Sequence, residues 1–320
     1  LADLCAAVST EFENVPAGSL QRLAQRVRVA PGPQAVAIVQ DRIAEKAFIQ
    51  AAGVPLALYA AIHHADDLRQ VSPALFPGIL KAARLGYDGK GQVRVAKLDQ
   101  ALEAFHGLGG VPCVLEALQP LDHEISVVVV RDLNDGIATF PPARNTHRDG
   151  ILALSLVDGS VQDHIADQAR AHATLLARQL GYHGVMCVEF FVLADGRILA
   201  NEIAPRPHNS GHYTQDACLV SQFEQQVRVM AGLPIGDTAV LRPAAMLNLL
   251  GDLWFTADGA AQEPDWVALL AVPGTRLHLY GKDQPRLGRK MGHVNIIGND
   301  AAQLHQRIAR VAGVLGLHDA

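Results

Sequence analysis

Residues 185–203, VMCVEFFVLADGRILANEI, consist of two apolar runs of strand character separated by Asp195 and Gly196. An Asp-Gly pair between two such runs is among the strongest short-range signals of a β-hairpin. If these two residues form a two-residue turn, the resulting register places Glu189 directly opposite Glu202. Directly opposed residues lie on the same face of a sheet, with Cβ atoms about 5 Å apart. The sequence therefore predicts a hairpin that carries two neighbouring carboxylates.

The two carboxylates have two interpretations. They would repel each other in an apolar setting, and a divalent cation would reverse that repulsion, since Mg²⁺ commonly combines one or two carboxylates with substrate phosphates. The alternative is an exposed pair on a solvated face, although Val188 and Phe190 make a fully solvated face less favourable. Ideal alternation places Asn201 on the opposite face, so Asn201 assists only if the strand end is distorted. The residues alone leave both interpretations open.

The segment that follows, residues 201–214 (NEIAPRPHNSGHYT), cannot be a helix interior or a central strand, because two prolines and a glycine interrupt it. A solvated loop is one interpretation, and a site for a small anion is the other. For an anion, Arg206 offers a planar fork of donors. His208 offers a ring that titrates near physiological pH when it is unperturbed.

Residues 81–92, KAARLGYDGKGQ, form a glycine-rich segment between two predicted strands. The segment lacks the GxxxxGK[ST] pattern, and a strand follows where a dinucleotide-binding fingerprint requires a helix. What remains is a hairpin flap with Lys81, Arg84 and Lys90, whose glycines allow backbone N–H groups to approach phosphate oxygens. A plain hairpin remains the alternative.

The neighbouring elements favour a nucleotide site. Lys46 lies on a predicted helix, 41–52, with Ile43, Ala47, Phe48 and Ala51 as its apolar face. Residues 116–119 form a connector suited to clamp an adenine, and Glu124 beyond it is placed to accept hydrogen bonds from both ribose hydroxyls. A cation, a glycine flap, an adenine clamp, a ribose carboxylate and a metal hairpin thus follow one another along the chain.

Composition narrows the class of protein. The chain has 320 residues, 49% hydrophobic and 18% charged, which is typical of a globular enzyme of two or three packed units. The net charge of −5 argues against a nucleic-acid partner. No apolar run approaches the roughly 20 residues of a membrane span. The four cysteines include no CxxC pair, which favours reduced thiols in the cytoplasm. The chain begins at Leu1 and its first methionine is Met186, so we expect that a natural N-terminal segment is missing.

The remaining pattern predicts a mixed α+β fold with several antiparallel pairs rather than a regular βαβ series. The predicted helices are 20–26, 41–52, 98–106, 163–180, 215–231 and 301–315. The predicted strands are 4–9, 55–59, 78–84, 92–96, 111–118, 124–131, 185–193, 197–203, 276–280 and 293–297.

Four motifs together carry a resemblance: GYDGKGQ (86–92), EALQPLDHEISVVVVR (116–131), NEIAPRPHNSGHYT (201–214) and LHLYGKDQPRLGRKMGHVNI (277–296). With these motifs the chain resembles the ATP-grasp superfamily and, within it, the N5-carboxyaminoimidazole ribonucleotide synthase family, over nearly its whole length. The resemblance implies an ATP-grasp fold with the remnant of an N-terminal Rossmann-like domain (1–40), a small lid subdomain (41–118), a main subdomain (119–241) and a small C-terminal domain (242–320). It also implies a cytoplasmic homodimer that uses ATP, Mg²⁺ and bicarbonate to carboxylate 5-aminoimidazole ribonucleotide in purine biosynthesis.

The resemblance and the chemistry of the residues together give a predicted site. The ATP-binding residues are Lys46, Lys81, Gly86, Tyr87, Asp88, Gly89, Gly91, Glu116, Ala117, Leu118, Gln119, Glu124, His147, Asn201 and Glu202. The metal ligands are Glu189 and Glu202, and the catalytic residues are Arg206, His208 and Lys282. The residues that bind bicarbonate or the ribonucleotide are Glu11, Glu13, Asn209, Ser210, His212, Arg289 and Lys290.

The chain departs from the family pattern in three places. Ala117 stands where a bulkier aromatic is usual, and Lys90 stands where arginine is frequent. The family's opening glycine loop, which helps to hold the substrate phosphate, does not occur at the start of this sequence. Two alternatives follow from the sequence: another ATP-grasp ligase that joins a carboxylate to an amine, or a nucleotide-binding protein without catalysis.

Overall fold

Two antiparallel sheets organise the chain, whose computed structural model describes residues 1–86, 91–256 and 258–317. The described strands are β1 Ala7–Val8, β2 Arg28–Val29, β3 Tyr59–Ile62, β4 Gly78–Ala82, β5 Gln92–Val95, β6 Cys113–Ala117, β7 Leu121–Arg131, β8 Ile137–Thr139, β9 Ala143–Arg148, β10 Ile151–Val157, β11 Gly184–Leu193, β12 Ile198–Ala204, β13 Ala244–Leu250, β14 Thr275–Leu279 and β15 Lys290–Ile297. The described α-helices are α1 Ala17–Ala24, α2 Pro33–Val39, α3 Arg42–Ala51, α4 Ala65–Leu68, α5 Leu98–Gly107, α6 Asp163–Gln179, α7 Thr214–Ala217, α8 Gln222–Ala231, α9 Trp266–Leu270 and α10 Ala301–Val314.

The larger sheet has nine strands in the order β12-β11-β7-β9-β10-β13-β15-β14, with β8 beside β7. Alternation along its central strands supplies a core on each face. Val127 and Val129 of β7 pack with α6, whereas Val128 and Val130 pack on the opposite face with α8. Because both faces of β7 and β11 are covered, these strands read as continuous apolar runs rather than as alternating ones.

The smaller sheet has four strands in the order β3-β6-β4-β5, and α4 and α5 cover one face. The N-terminal segment contributes the short parallel pair β1-β2 beside α1 and α2. Toward the C-terminus, β13, β15 and β14 extend the nine-stranded sheet, and α10 packs on them. The predicted segments 119–241 and 242–320 therefore share one sheet. Within the described ranges no helix combines the length and apolarity that a membrane span requires.

The hairpin of β11 and β12 confirms the predicted pairing of Glu189 with Glu202, although its turn and part of its register differ from the prediction. Leu193 N–H donates to Arg197 O at 2.9 Å, so the loop has three residues, 194–196, with Gly196 at φ +83°. The predicted two-residue turn is wrong. The three-residue loop shifts the pairing beside it by one residue from the predicted register, so that Val192 pairs with Ile198. An irregularity at Asn201 restores the register, because Phe190 pairs with Ala200 whereas Glu189 pairs with Glu202. The distortion that Asn201 required is therefore present.

The buried face of α3 differs from the predicted one. Asp41 caps the helix by accepting from the N–H groups of Ile43 and Ala44. Ala47, however, is exposed, whereas Lys46 and Ile49 are buried. The apolar periodicity misidentified the face because two charged residues, Glu45 and Lys46, lie on the buried side, where they make polar contacts with other parts of the chain.

Three other element predictions need correction. The predicted helix 215–231 is divided into α7 and α8, because Cys218 is extended and Ser221 caps a new helix by accepting from Glu224 N–H. The strand predicted at 55–59 lies at Tyr59–Ile62 instead. The sequence interpretation also missed β9 and β10, which place His147 beside the hairpin.

Candidate active site between the two sheets

A buried lysine, a half-buried lysine and a buried glutamate connect the small sheet to the hairpin. Lys46 Nζ lies 3.1 Å from Glu116 Oε2 and donates to Asn201 O at 2.8 Å. Lys81 Nζ lies 3.1 Å from Glu116 Oε1. Burial lowers the pKa of Lys46, and Glu116 opposes that shift. The carboxylate of Glu116 is thus engaged by two cations. In the connector that follows, Ala117 N–H donates to Leu58 O and Leu118 N–H donates to Pro77 O, each at 2.9 Å.

The flap and the connector flank these lysines. Ala82 N–H donates to Gly91 O at 2.8 Å, and Gly91 has φ +73°, so it closes the flap in a conformation that favours glycine. Gly86 is half-buried beside it. On the connector, Gln119 Nε2 donates to Ala117 O at 3.1 Å, and Leu118 is exposed. The predicted residues Tyr87, Asp88 and Gly89, with Lys90, lie outside the described residues.

An acidic group lies on the adjacent strands β7, β9 and β11. One ligand atom each of Glu124, His147 and Glu189 lies within 4.8 Å of the others, and His147 Nδ1 is 3.0 Å from Glu124 Oε2. Burial opposes protonation of His147, but Glu124, Glu189 and Glu202 outweigh it, so the pKa of His147 is raised. The structure thus brings the predicted ribose carboxylate and the predicted nucleotide histidine to the hairpin that was predicted to bind a metal ion.

Glu189 and Glu202 form an oxygen-rich pair that suits a hard cation. Burial raises the pKa of Glu189 to about 7, with Glu202 as the second cause. Asn201 Oδ1 is buried and has no hydrogen-bond partner in the described part of the chain. Two carboxylates and an amide oxygen match Mg²⁺, whereas imidazole suits softer metals, so His147 is better regarded as the partner of Glu124. Arg42 Nη2 also lies 3.4 Å from Glu202 Oε2.

The loop after β12 carries a cation and polar groups that lack partners. Arg206 pairs with Glu13 through Nη2 and donates from Nη1 to Pro207 O at 3.0 Å. Burial opposes its charge, but Glu13 outweighs burial and raises the pKa of Arg206. Arg206 Nε and both amide atoms of Asn209 are buried and make no hydrogen bond to any described residue. Buried polar groups of this kind are expected to meet a ligand or water.

His208 is a buried, neutral ring in a defined tautomer. Burial lowers its pKa well below the usual value, and Arg206 adds to the effect. Ser210 N–H donates to His208 Nδ1 at 3.3 Å, so the ring proton lies on Nε2, 3.5 Å from Glu189 Oε1. Ser210 Oγ accepts from Ser126 Oγ at 2.7 Å. Ser126 was missed by sequence reasoning because it reads as an ordinary strand residue.

The C-terminal strands meet this loop through a cluster of aromatic rings. The ring of His293 lies 4.7 Å from that of His212 and 4.5 Å from that of His278. Tyr280 OH lies 2.8 Å from His293 Nδ1, and Asp216 Oδ2 accepts from Asn295 Nδ2 at 2.7 Å. None of these partners of His212 was predicted, because they approach it only through the pairing of β13, β14 and β15.

The predicted cations of the tail lie next to this cluster. Lys282 Nζ donates to Lys290 O at 2.6 Å and lies 5.3 Å from the Tyr280 ring centroid. Arg289 Nη1 donates to Gln284 O at 2.6 Å. Of the two predicted acids near the N-terminus, Glu13 reaches Arg206, and Glu11 is exposed.

The histidine cluster predicts a loss of stability in acid. Burial, followed by His212 and His278, lowers the pKa of His293 to about 3 from 6.5. Between pH 6.5 and about 3 the unfolded chain binds a proton at this position and the folded chain does not, so each pH unit in this window costs about 1.4 kcal/mol. We expect His293→Gln to lose stability less steeply than the parent chain as the pH falls below 6.5. Urea unfolding at a series of pH values measures both slopes, and parallel slopes would contradict the assignment.

Three protein-family models match consecutive parts of this chain. The family model for the ATP-grasp domain matches residues 47–223, that for the phosphoribosylaminoimidazole carboxylase C-terminal domain matches 244–307, and that for the ribonucleotide synthetase preATP-grasp domain matches 1–40. The N5-carboxyaminoimidazole ribonucleotide synthase of Brucella melitensis is 45% identical over 93% of this chain and 81% of its own length. The chain belongs to the N5-carboxyaminoimidazole ribonucleotide synthase family.

Solved structures of the same family agree with the fold. An ADP complex of the synthetase PurK has a TM-score of 0.88 at 36% identity, over 99% of this chain and 81% of the other. The Aspergillus clavatus synthase, in complex with ADP and 5-aminoimidazole ribonucleotide, has a TM-score of 0.87 at 29% identity, and the match covers 98% of this chain and 83% of that chain. The predicted ATP-grasp fold with preATP-grasp and C-terminal parts is confirmed. The family relationship also shows that the chain is an ATP-dependent ligase.

Proposed function

We propose that this chain carboxylates 5-aminoimidazole ribonucleotide to N5-carboxyaminoimidazole ribonucleotide, with ATP and bicarbonate, in purine biosynthesis. A bicarbonate oxygen attacks the γ-phosphorus of ATP, the bond to the β,γ-bridging oxygen breaks, and carboxyphosphate and ADP result. Carboxyphosphate then releases phosphate and supplies CO₂ to the exocyclic amine, which loses a proton. The observation that carries the proposal is the paired carboxylates of Glu189 and Glu202 beside the buried, partly unsatisfied Arg206–Asn209 segment.

The nucleotide end is assigned to the space between the sheets. Lys46 and Lys81 are placed to neutralise the phosphates, since both ammonium groups lie at the junction of the small sheet and the hairpin. Residues 116–119 contact the adenine through their backbone, and Glu124 holds the ribose. Phosphoryl transfer depends mainly on such positioning and charge neutralisation.

The hairpin is assigned to magnesium, held by Glu189 and Glu202 with Asn201 beside them. When bound, the ion supplies neutralisation of charge on the phosphate oxygens during transfer. The residues fit the ion because burial and the neighbouring Glu202 both disfavour the negative charge of Glu189 and raise its pKa. His147 and Lys290 oppose this shift only in part, and a bound cation would oppose it further.

The anion end is assigned to the proline-stiffened loop. Arg206 Nε and the Asn209 amide are buried donors that make no hydrogen bond to a described residue, and bicarbonate reaches them once the surrounding side chains move apart. His208, with its proton on Nε2, donates a hydrogen bond to the same anion, and a role as proton shuttle requires that Nε2 first give up this proton. Exclusion of water protects carboxyphosphate from hydrolysis.

The ribonucleotide end is assigned to the tail. Lys282, Arg289 and Lys290 supply cations for its phosphate or for bicarbonate, and Ser210 and His212 join this region to the anion loop. Glu13, which pairs with Arg206, and Glu11 are assigned to the imidazole or the ribose. We further infer a homodimer in the cytoplasm from the family resemblance, and light scattering measures the oligomeric state.

Turnover should depend on bicarbonate. With ATP, Mg²⁺ and 5-aminoimidazole ribonucleotide, we expect ADP release to follow added bicarbonate and to stop when bicarbonate is removed, because carboxyphosphate is the acyl donor. The measurement is ADP release coupled to detection of the carboxylated product. If formate or an amino acid supports turnover and bicarbonate does not, the chain is a different ATP-grasp ligase. ATP binding without turnover under any of these conditions would identify a non-catalytic nucleotide-binding protein.

A further inference from the structure

Gln222 is fully buried at the start of α8, directly behind the loop that holds the proposed anion site. Its Oε1 accepts from His208 N–H at 2.9 Å, and its Nε2 donates to His208 O at 2.7 Å. The amide therefore pairs with both backbone groups of His208 in the way that a neighbouring strand would. A third contact joins Nε2 to His212 Nδ1 at 3.0 Å.

These contacts fix the orientation of the amide and, through it, the ring of His212. A backbone N–H only donates and a backbone carbonyl only accepts, so the oxygen of Gln222 must face His208 N and its nitrogen must face His208 O. The second hydrogen of Nε2 is then directed at His212 Nδ1, which has to accept it. A neutral imidazole with an accepting Nδ1 carries its proton on Nε2.

We propose that Gln222 is a positioning residue, which holds the backbone at His208 and keeps His212 in the Nε2-protonated tautomer. The proposal rests on the function proposed above, because that function gives His208 and His212 their roles at the anion and ribonucleotide ends. Burial lowers the pKa of His212 to about 3, which agrees with a neutral ring. Since His212 also packs on Tyr280 and His293, Gln222 sets the anion loop relative to β15, which begins at Lys290, and to the β14–β15 loop, which contains Lys282.

The chain offers a matched control on the same helix. Gln225 is also fully buried, and it accepts from Gly236 N–H at 3.0 Å and donates to Gly236 O at 2.8 Å. Gln225 thus makes the same pair of backbone contacts to a different loop, and within the described part of the chain its side chain makes no hydrogen bond to a proposed site residue. A purely structural role would make the two glutamines equivalent.

The test compares Gln222→Glu with Gln225→Glu. Each change places a carboxylate oxygen against a carbonyl oxygen, so both variants should have a lower melting temperature. Only Gln222→Glu also confronts His212 Nδ1 with an acceptor, so His212 should move its proton to Nδ1. We expect the kcat of Gln222→Glu to fall about a hundredfold, because small misplacements of groups at an active site commonly reduce the rate by that factor. The KM for ATP should stay near the parent value. Gln225→Glu should keep the parent kcat.

Two measurements decide the proposal. Nitrogen-15 NMR of the parent chain reports the tautomer of His212 directly and requires no variant, so it also serves if Gln222→Glu does not fold. A proton on Nδ1 in the parent chain overturns the proposal, as does equal loss of kcat in the two variants or an unchanged kcat in Gln222→Glu. If the parent chain does not carboxylate the ribonucleotide, the proposed function fails, whereas the tautomer measurement still decides the role of Gln222.

Discussion

Replacement of Glu202 by glutamine should abolish turnover and leave the fold intact. Glutamine keeps the shape of the side chain and removes one of the two carboxylates that we propose as magnesium ligands. Loss of about 4 kcal/mol of charge stabilisation in the transition state corresponds to roughly a thousandfold in kcat. The fold should survive because the Glu202 side chain is 41% exposed and its charge repels Glu189. The melting temperature without ligand should therefore equal or exceed that of the parent chain.

The measurement is kcat together with thermal melting in the presence and absence of Mg²⁺ and ATP. Ligands that bind only the folded state raise the melting temperature of the parent chain, and this increase should shrink in Glu202→Gln. The matched control is Arg42→Gln, which removes the contact between Arg42 and Glu202 but leaves the carboxylate in place. That variant should retain most of its activity. Unchanged kinetics in Glu202→Gln would remove the hairpin from the mechanism.

Replacement of Arg206 by lysine should remove most of the activity although the charge is kept. Arg206 already uses Nη2 for Glu13 and Nη1 for Pro207 O, and its Nε is buried without a described partner. An ammonium on a flexible stem cannot make these contacts and also present a fixed donor to a planar anion. Loss of one preorganised donor costs about 100- to 1000-fold in kcat.

Arg131 provides a control of closely similar chemistry. It pairs with Asp135, donates to Tyr182 O at 3.0 Å, and also has a buried Nε without a described partner. It lies at the end of β7 remote from Glu124, so Arg131→Lys tests the same substitution away from the site. We expect that variant to lose stability and to keep its kcat. Rates near the parent value in Arg206→Lys would place the anion site elsewhere.

Local patterns predicted some elements well and others poorly for identifiable reasons. The helix α6 and the antiparallel pair β11-β12 were predicted from periodicity and an Asp-Gly turn, and both elements occur, although the loop of the hairpin has three residues instead of two. The face of α3 was wrong because Lys46 is buried for its contacts with Glu116 and Asn201. These partners lie 70 and 155 positions away in sequence, so no local pattern contains them.

The site shows the same division. Residues 201–214 were recognisable because rigid irregular backbone with many polar groups is unusual after an apolar strand. Ser126 and Gln222 could not be recognised from the sequence, because each is an ordinary polar residue in its own segment. Their contacts with Ser210 and His208, respectively, exist only in the folded chain. The pairing of Glu189 with Glu202 was predicted correctly although the turn was not, since a bulge at Asn201 cancelled the error.

By itself, the sequence determined which chemical groups the chain possesses and the order in which they occur, because turn residues, apolar periodicity and motifs are local properties. Tertiary structure alone decided which groups meet. It placed His147 against Glu124 and Glu13 against Arg206, and it brought Ser210 N–H to His208 Nδ1 and the Gln222 amide to His212 Nδ1. The physical reason is that burial, charge and hydrogen bonding act through space, between strands and helices that are distant along the chain.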